Sequence, residues 1–162
     1  MAAEPNLGLI DERLLDAVCA EARASPRRRK NHNFHAGNDH PAHRLLNAME
    51  ADSYIPPHCH LDALKDETML VLRGRLGLML FDAAGTVTGT KVLGSGGDAL
   101  GVTLASGVWH TVVALESGTV FFESKAGPYL PLTAAERALW APAENDAAAP
   151  AYLERLRGWF PH

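Results

Sequence analysis

Three histidines and one glutamate have the residue types and spacing of a metal site. His58 and His60 are separated by one residue. Because successive side chains of a strand point to opposite faces, both imidazoles would project from the same side. Glu67 lies seven positions beyond His60, so a turn through 62–66 is needed to bring its carboxylate to that side. His110 opens a later apolar run, and it joins the others if its strand returns beside them.

Imidazole and carboxylate ligands define a class of metal but not its identity, since they suit divalent Fe, Zn, Mn, Ni, Cu or Co. Two cysteines in 162 residues are too few for a thiolate site. The alternatives without a metal are surface histidines at 58 and 60, and an ion pair of Glu67 with Lys65 or Arg73. Because three imidazoles and one carboxylate form a ligand set for such ions, the sequence predicts one divalent transition metal at His58, His60, Glu67 and His110.

Short β-strands must position these residues. Nine of the fourteen glycines lie between positions 74 and 107, where they separate apolar runs. This punctuation indicates a β-sandwich or barrel, and eight strands joined by short turns predict a jelly roll. A hairpin is predicted at 81–85, where Asp and Gly accommodate turn dihedrals. The predicted strands cover 44–48, 53–60, 68–73, 75–81, 87–93, 99–104, 110–115 and 119–125.

Helical patterns flank the strands. Apolar residues recur at helical spacing from Ile10 to Ala22, with Asp11 as the N-cap. A capping box at 133–136 predicts a short helix to Trp140, and a last helix follows Pro150. We therefore divide one structural domain into an N-terminal helix with a polar lead-in (1–43), a barrel (44–130) and a C-terminal helical tail (131–162).

Composition excludes several classes of protein. A net charge of -4 provides no basic field for nucleic acid, so the expected partner is a small molecule. No apolar run approaches the roughly 18 residues of a membrane span, and the N-terminus lacks the pattern of a secretion signal. We expect a cytoplasmic protein.

The motifs resemble those of the cupin superfamily. His58-x-His60, then Glu67 and Gly74, is similar to the first cupin motif, and Gly107-x-x-His110 to the second. Six residues intervene between His60 and Glu67, where cupins usually have three or four.

A closer resemblance, to the WbuC-type cupin-fold metalloproteins, covers most of the chain. It is based on residues 29–35, 43–48, 53–60, 108–111, 125–129 and 140–144. It implies a cupin double-stranded β-helix with one divalent metal, and a setting in bacterial surface polysaccharide (O-antigen) biosynthesis. The cupin resemblance further implies a homodimer.

Six further residues are candidates for substrate binding. Asn33 and His35 match the pattern of the related family, and Lys65 is a candidate for moving a proton. Alternation along 119–125 puts Glu123 and Lys125 on one face, either lining a cavity or forming an internal ion pair. Tyr129 follows Gly-Pro and would either close the pocket mouth or pack on the barrel. The basic run at 27–30 is either a solvated face or one anion site.

Three functions remain open at this point. The first is a metal-dependent enzyme of the isomerase or lyase type, acting on a small carbohydrate-like or carboxylate ligand such as a sugar or sugar phosphate. The second is a non-catalytic, metal-dependent sugar-binding module. The third is an iron-dependent dioxygenase, which requires a redox-active metal.

Overall fold

Two antiparallel β-sheets packed face to face form the body of the molecule. The computed structural model describes residues 7–161, so residues 1–6, where we expect no secretion signal, and residue 162 lie outside the described residues. The strands are β1 (Arg29–Asn33), β2 (Ala42–Met49), β3 (Glu67–Arg73), β4 (Arg75–Phe81), β5 (Val87–Gly94), β6 (Gly101–Leu104), β7 (Trp109–Ala114) and β8 (Thr119–Ala126). Their orders are β1-β2-β8-β3-β6 and β5-β4-β7. This architecture confirms the predicted all-β jelly roll with flanking helices.

The predicted strands differ from the observed strands in two places. Residues 53–60 do not form a strand, and within this described segment only His58 makes a bridge. Pro56 and Pro57 have no N–H to donate to a ladder, so the segment cannot pair along its length. Conversely, Arg29–Asn33 belongs to the segment that we predict as a polar lead-in, yet it pairs with β2 as an edge strand.

An apolar core fills the space between the sheets. Met49 and Phe121 of the larger sheet belong to the same buried cluster as Leu76 and Val112 of the smaller sheet. Removing one such side chain from water contributes about 1.5–3 kcal/mol. This packing fixes the separation of the sheets, and therefore the separation of the site residues that each sheet contributes.

The first helix, α1 (Glu12–Ala24), covers the outer face of the larger sheet. Asp11 caps it as predicted, because its side chain accepts a hydrogen bond from the Leu14 N–H at 2.9 Å. Ile10 precedes the helix and is half exposed, so it does not belong to the buried face as its spacing suggests. The buried positions of the helix are Leu15, Val18, Cys19 and Ala22.

The C-terminal region contains two short helical elements. The first is a 3-10 helix over Ala134–Glu136, which ends before Trp140 and is shorter than predicted. Trp140 packs instead against Phe81, with ring centroids 4.9 Å apart. The second, α2 (Ala149–Arg157), has Pro150 in its first turn as predicted and covers the smaller sheet. Across the described part of the chain, no helix has the length and apolar character needed to cross a membrane.

Candidate metal centre

Backbone hydrogen bonds hold His58 beside His110, where β7 begins. The His58 N–H donates to the His110 carbonyl at 3.0 Å, and the His110 N–H donates to the His58 carbonyl at 2.9 Å. The ring centroids of these two residues are 4.7 Å apart, and those of His58 and His60 are 5.3 Å apart. The three imidazoles therefore lie on one side of the 56–60 segment.

Glu67 brings a carboxylate to the same place from the opposite sheet. It is the first residue of β3, and its side chain is almost fully buried. Its Oε1 lies 3.0 Å from His60 Nε2, and its Oε2 lies 3.1 Å from His110 Nε2. The donor atoms of His58, His60 and Glu67 all lie within 4.8 Å of one another. His110 is not a member of that trio, although it contacts both His58 and Glu67.

A turn explains the long spacing between His60 and Glu67. The Lys65 N–H donates to the Asp62 carbonyl at 2.9 Å, and the Leu64 N–H donates to the Asp62 carboxylate at 3.0 Å. These hydrogen bonds reverse the chain after His60. The alternation of side chains therefore begins anew in the strand that follows, and it does not continue from His60. The extra residues are thus accommodated in the turn, and Glu67 still faces the histidines.

Carbonyl groups determine which ring nitrogen of two histidines carries a hydrogen. His58 Nδ1 lies 3.0 Å from the Pro56 carbonyl oxygen, and His110 Nδ1 lies 2.9 Å from that of Val108. Because a carbonyl oxygen only accepts, Nδ1 is the donor in both rings. Each Nε2 is then the nitrogen left for another partner, as in metal-binding histidines that are oriented by a second hydrogen bond.

The donor chemistry fits a divalent cation. With Nδ1 donating, a neutral His110 presents the Nε2 lone pair to the Glu67 carboxylate, and only a proton or a cation between the two atoms stabilises that approach. Burial and the neighbouring His110 lower the pKa of His58 to about 4, so His58 is neutral at pH 7. Neutral imidazoles and an ionised carboxylate are the forms that bind metals.

Lys125 lies between two buried carboxylates. Its Nζ is 3.0 Å from Glu67 Oε1 and 2.6 Å from Glu123 Oε1. Burial favours a higher pKa for Glu67, but hydrogen bonds from His110 and His60, when their Nε2 atoms carry a proton, and the Lys125 charge hold this pKa well below its ordinary value. Burial likewise opposes the charge of Lys125, but the two carboxylates raise its pKa above the ordinary value.

Glu67 pairs with neither of the two partners that we considered for a purely structural role. The Lys65 ammonium donates to the Pro128 carbonyl at 2.6 Å, and Arg73 pairs with Glu12 of α1. The partner of Glu67 is Lys125, on the neighbouring strand β8, where the two residues are directly opposite each other. The cavity and ion-pair interpretations of Lys125 therefore both apply.

Two adjoining cavities contain all six residues proposed for substrate binding. The cavity of about 620 Å³ beside His58 and His60 is lined by Lys65, Lys125 and Tyr129. The second cavity, of about 580 Å³, is lined by Asn33, His35, Glu123, Lys125 and Tyr129. Tyr129 is 55% exposed, which places it at the shared mouth and not within the barrel core.

The cavities are also lined by Asn31, His43 and Asn47, for which the sequence predicts no role. Asn31 and Asn47 are opposite each other on β1 and β2, and His43 is opposite Lys125. His43 also stacks on His35, with centroids 4.0 Å apart. Strand alternation was the available signal, since Asn31 shares the parity of Asn33. Using it required knowledge of the strand β1 and its register.

The basic run at 27–30 is ion-paired. Every cation of the run has a carboxylate within 3.5 Å: Arg27 and Arg29 contact Glu144, Arg28 contacts Asp52, and Lys30 contacts Glu21. Such pairs at a surface contribute about 0–1 kcal/mol each. The four cations share three carboxylates, because Arg27 and Arg29 both contact Glu144, so each side chain is already engaged with a carboxylate.

Comparisons with known proteins identify a family but no activity. The family model described as "Domain of unknown function (DUF6016)" matches residues 10–93. No curated protein matches the sequence significantly.

Solved structures show the fold. BH2720 from Bacillus halodurans is 15% identical, with 80% of this chain and 87% of that chain covered and a TM-score of 0.51. SO0799 from Shewanella oneidensis is 13% identical, with 62% and 68% covered and a TM-score of 0.50. KdgF from Halomonas sp. is 18% identical, with 65% and 84% covered and a TM-score of 0.49. Together with the two-sheet topology, the first two support the predicted jelly-roll fold.

Proposed function

The chain belongs to the family described as a domain of unknown function, DUF6016, and we propose that it is a cupin-fold metalloprotein with one divalent transition metal. Its ligands are His58, His60, Glu67 and His110. The observation that supports this proposal is the placement of two imidazole Nε2 atoms at 3.0 and 3.1 Å from the two oxygens of one buried carboxylate.

The proposed activity is an isomerase- or lyase-type reaction on a small carbohydrate-like or carboxylate molecule, with sugars and sugar phosphates among the candidates. A bound divalent metal supplies Lewis acidity and lowers the pKa of a bound water or hydroxyl. Two cavities of about 620 and 580 Å³ have the size of small-molecule sites, which is about 300–1,000 Å³. Their polar side chains converge on Lys125, which both cavities share.

Glu123 is the proposed proton carrier. Its Oε2 accepts a hydrogen bond from Asn47 Nδ2 at 2.8 Å. Its Oε1 is buried and contacts the Lys125 ammonium, with Nζ 2.6 Å away. A carboxylate oxygen in this state can accept a proton from a substrate hydroxyl within about 3 Å. The Lys125 ammonium, held beside it, would bind an anionic group of the substrate.

The biological setting is proposed from the resemblance to WbuC-type cupins. It supports a role in bacterial surface polysaccharide (O-antigen) biosynthesis, in the cytoplasm and as a homodimer. The cysteines at 19 and 59 are both free and buried, which suits a reducing compartment. Light scattering tests the homodimer directly.

The proposal is tested by metal content. Untagged protein should retain close to one equivalent of a transition metal by elemental analysis, with anomalous density at the four ligands. His58→Ala should bind the metal at least about 100-fold more weakly, because loss of a second-shell partner alone costs about 10–100-fold. His32→Ala, on a different face of the chain, is the matched control and should bind as the unchanged protein does.

Equal metal affinity in His58→Ala, or no metal site in either protein, would contradict the proposal. If a sugar binds only in the presence of the metal and no product forms, the protein is the non-catalytic sugar-binding module and not an enzyme. Oxygen consumption with bound iron would replace the isomerase or lyase by the dioxygenase.

Lys125→Met should have opposite effects on stability and on metal binding. We expect the metal-free protein to lose about 3 kcal/mol, because two buried carboxylates lose their cation. Divalent-metal affinity should rise by about tenfold or more, because a positive charge 3.0 Å from a ligand oxygen is removed. Lys91→Met, at an exposed position of β5, is the control. Chemical denaturation and metal titration measure the two effects, and weaker metal binding would show that Lys125 supports the site.

A further inference from the structure

A second cavity adjoins the proposed metal centre on the inner face of the larger sheet. Its volume is about 580 Å³, and it shares His43, Lys125 and Tyr129 with the cavity that contains His58 and His60. The two cavities therefore adjoin at these side chains, and we treat them as two compartments of one site. We call the one beside the histidines the metal compartment and the other, which contains Asn31, Asn33 and Asn47, the amide compartment.

Strand register assembles the amide compartment from three neighbouring strands. Asn31 of β1 is opposite Asn47 of β2, and Asn33 is opposite Leu45. Leu45 in turn is opposite Glu123 of β8. Since residues two apart on a strand share a face, the amides and the carboxylate line one surface. Glu123 extends that surface to Lys125 and the metal compartment.

The polar groups of this compartment are only partly used within the protein. Asn31 Nδ2 donates to Asn33 Oδ1 at 2.8 Å, and Asn47 Nδ2 donates to Glu123 at 2.8 Å. Glu123 is only 8% exposed, and its Oε1 contacts the Lys125 ammonium at 2.6 Å. Asn31 and Asn33 are exposed on the cavity wall, so their remaining donors and acceptors are open to a ligand.

The charge of the compartment favours an uncharged ligand group. The four cations that line it contact four carboxylates, so their charges balance; the cations are Arg27, Arg29, Lys30 and Lys125, and the carboxylates are Glu144, Glu21, Glu67 and Glu123. The uncharged polar groups along the wall include four carboxamides, each with donors and an acceptor. Hydroxyl groups, which both donate and accept, match this set better than a phosphate does.

We propose that the amide compartment binds an uncharged sugar ring that is covalently attached to the group at the metal. The ligand is then a molecule of at least disaccharide size, with an anionic or metal-binding end in the metal compartment. This inference depends on the proposed function for the metal end. Beyond the proposed function, it adds a second sugar ring and the asparagines that bind this ring.

Two commercial acids form a matched pair of probes. Gluconate is a polyhydroxy acid, and lactobionate is the same acid carrying a galactosyl ring. Calorimetry with stoichiometrically metal-loaded protein should show lactobionate binding about tenfold more tightly, which corresponds to one or two additional hydrogen bonds. The double variant Asn31→Ala/Asn33→Ala, at exposed positions, should remove that difference and leave gluconate affinity unchanged. Asn145→Ala, outside both cavities, is the control with the same chemical change.

Equal binding of the two acids, no binding of either, or an equal loss of both in the double variant would overturn the inference. Binding measurements on chelator-treated protein distinguish a failure of this inference from a failure of the proposed function. If each acid binds as tightly after metal removal as before it, the metal-dependent function fails. An asparagine-dependent preference for lactobionate in those measurements still supports the amide compartment.

Discussion

Zinc added to chelator-treated protein, at a free concentration about 1,000-fold above its dissociation constant, should raise the free energy of unfolding by about 4 kcal/mol. For a chain of this size that corresponds to roughly 8–16 °C in melting temperature. Glu67→Gln should abolish nearly all of this gain. The amide keeps the shape of the side chain but removes the negative charge that contacts two imidazoles and Lys125.

The matched control is Glu116→Gln, which removes a carboxylate that pairs with Arg75 at the surface. It should keep the full zinc-induced shift. Differential scanning calorimetry with and without chelator measures all three proteins. A full shift in Glu67→Gln would exclude Glu67 as a ligand and restrict the site to the histidines.

Gly127→Ala should destabilise the fold by about 3 kcal/mol and weaken ligand binding as well. A Cβ at this position would overlap the His40 carbonyl oxygen and lie 2.8 Å from the His43 ring. The Gly127 N–H also donates to the Pro41 carbonyl at 2.9 Å, so the backbone cannot move away without losing that bond. Because Lys125 lies two residues earlier, the displacement reaches both compartments.

Gly8→Ala is the control for this effect, because a Cβ there meets nothing within 4 Å. It should change the free energy of unfolding by no more than about 0.5 kcal/mol. Urea denaturation compares the variants, and lactobionate titration reports on the compartments. Equal stability of Gly127→Ala and the unchanged protein would mean that the 40–43 segment is free to shift.

The cluster of three histidines and Glu67 was predictable in part from local signals. His58 and His60 need only strand alternation to share a face, and this holds although their segment is not a paired strand. Glu67 required the further inference of a turn, which the composition of 62–66 allowed. The place of His110 beside them depended on the jelly roll, which the distribution of glycines indicated.

The amide compartment was not predictable in the same way. The inner face of β1 is polar because it lines a cavity, so Arg29–Asn33 lacks the apolar alternation by which strands are recognised. Asn47 lies among apolar residues of β2, where a single asparagine has no distinctive meaning. Only the register of β1, β2 and β8 shows that these residues form one surface.

The strand predicted over 53–60 was wrong for a related reason, because the pairing of this segment leaves no signal in the sequence. Apolar residues and a His-x-His pattern indicate a strand over 53–60, but two prolines prevent a ladder there. The chain is held instead by isolated bridges from His58 to His110 and to Arg137. Such single pairings leave no periodic pattern in a sequence.

The distribution of the proposed ligands over both sheets would make metal retention a measure of sheet packing. Glu67 belongs to the larger sheet and His110 to the smaller one, with the buried Leu76 and Phe121 between them. A bound ion would thus link two halves that the apolar core already holds together, and each would strengthen the other. Substitutions deep in that core, remote from any ligand, should therefore speed the loss of metal in proportion to how far they loosen the two sheets.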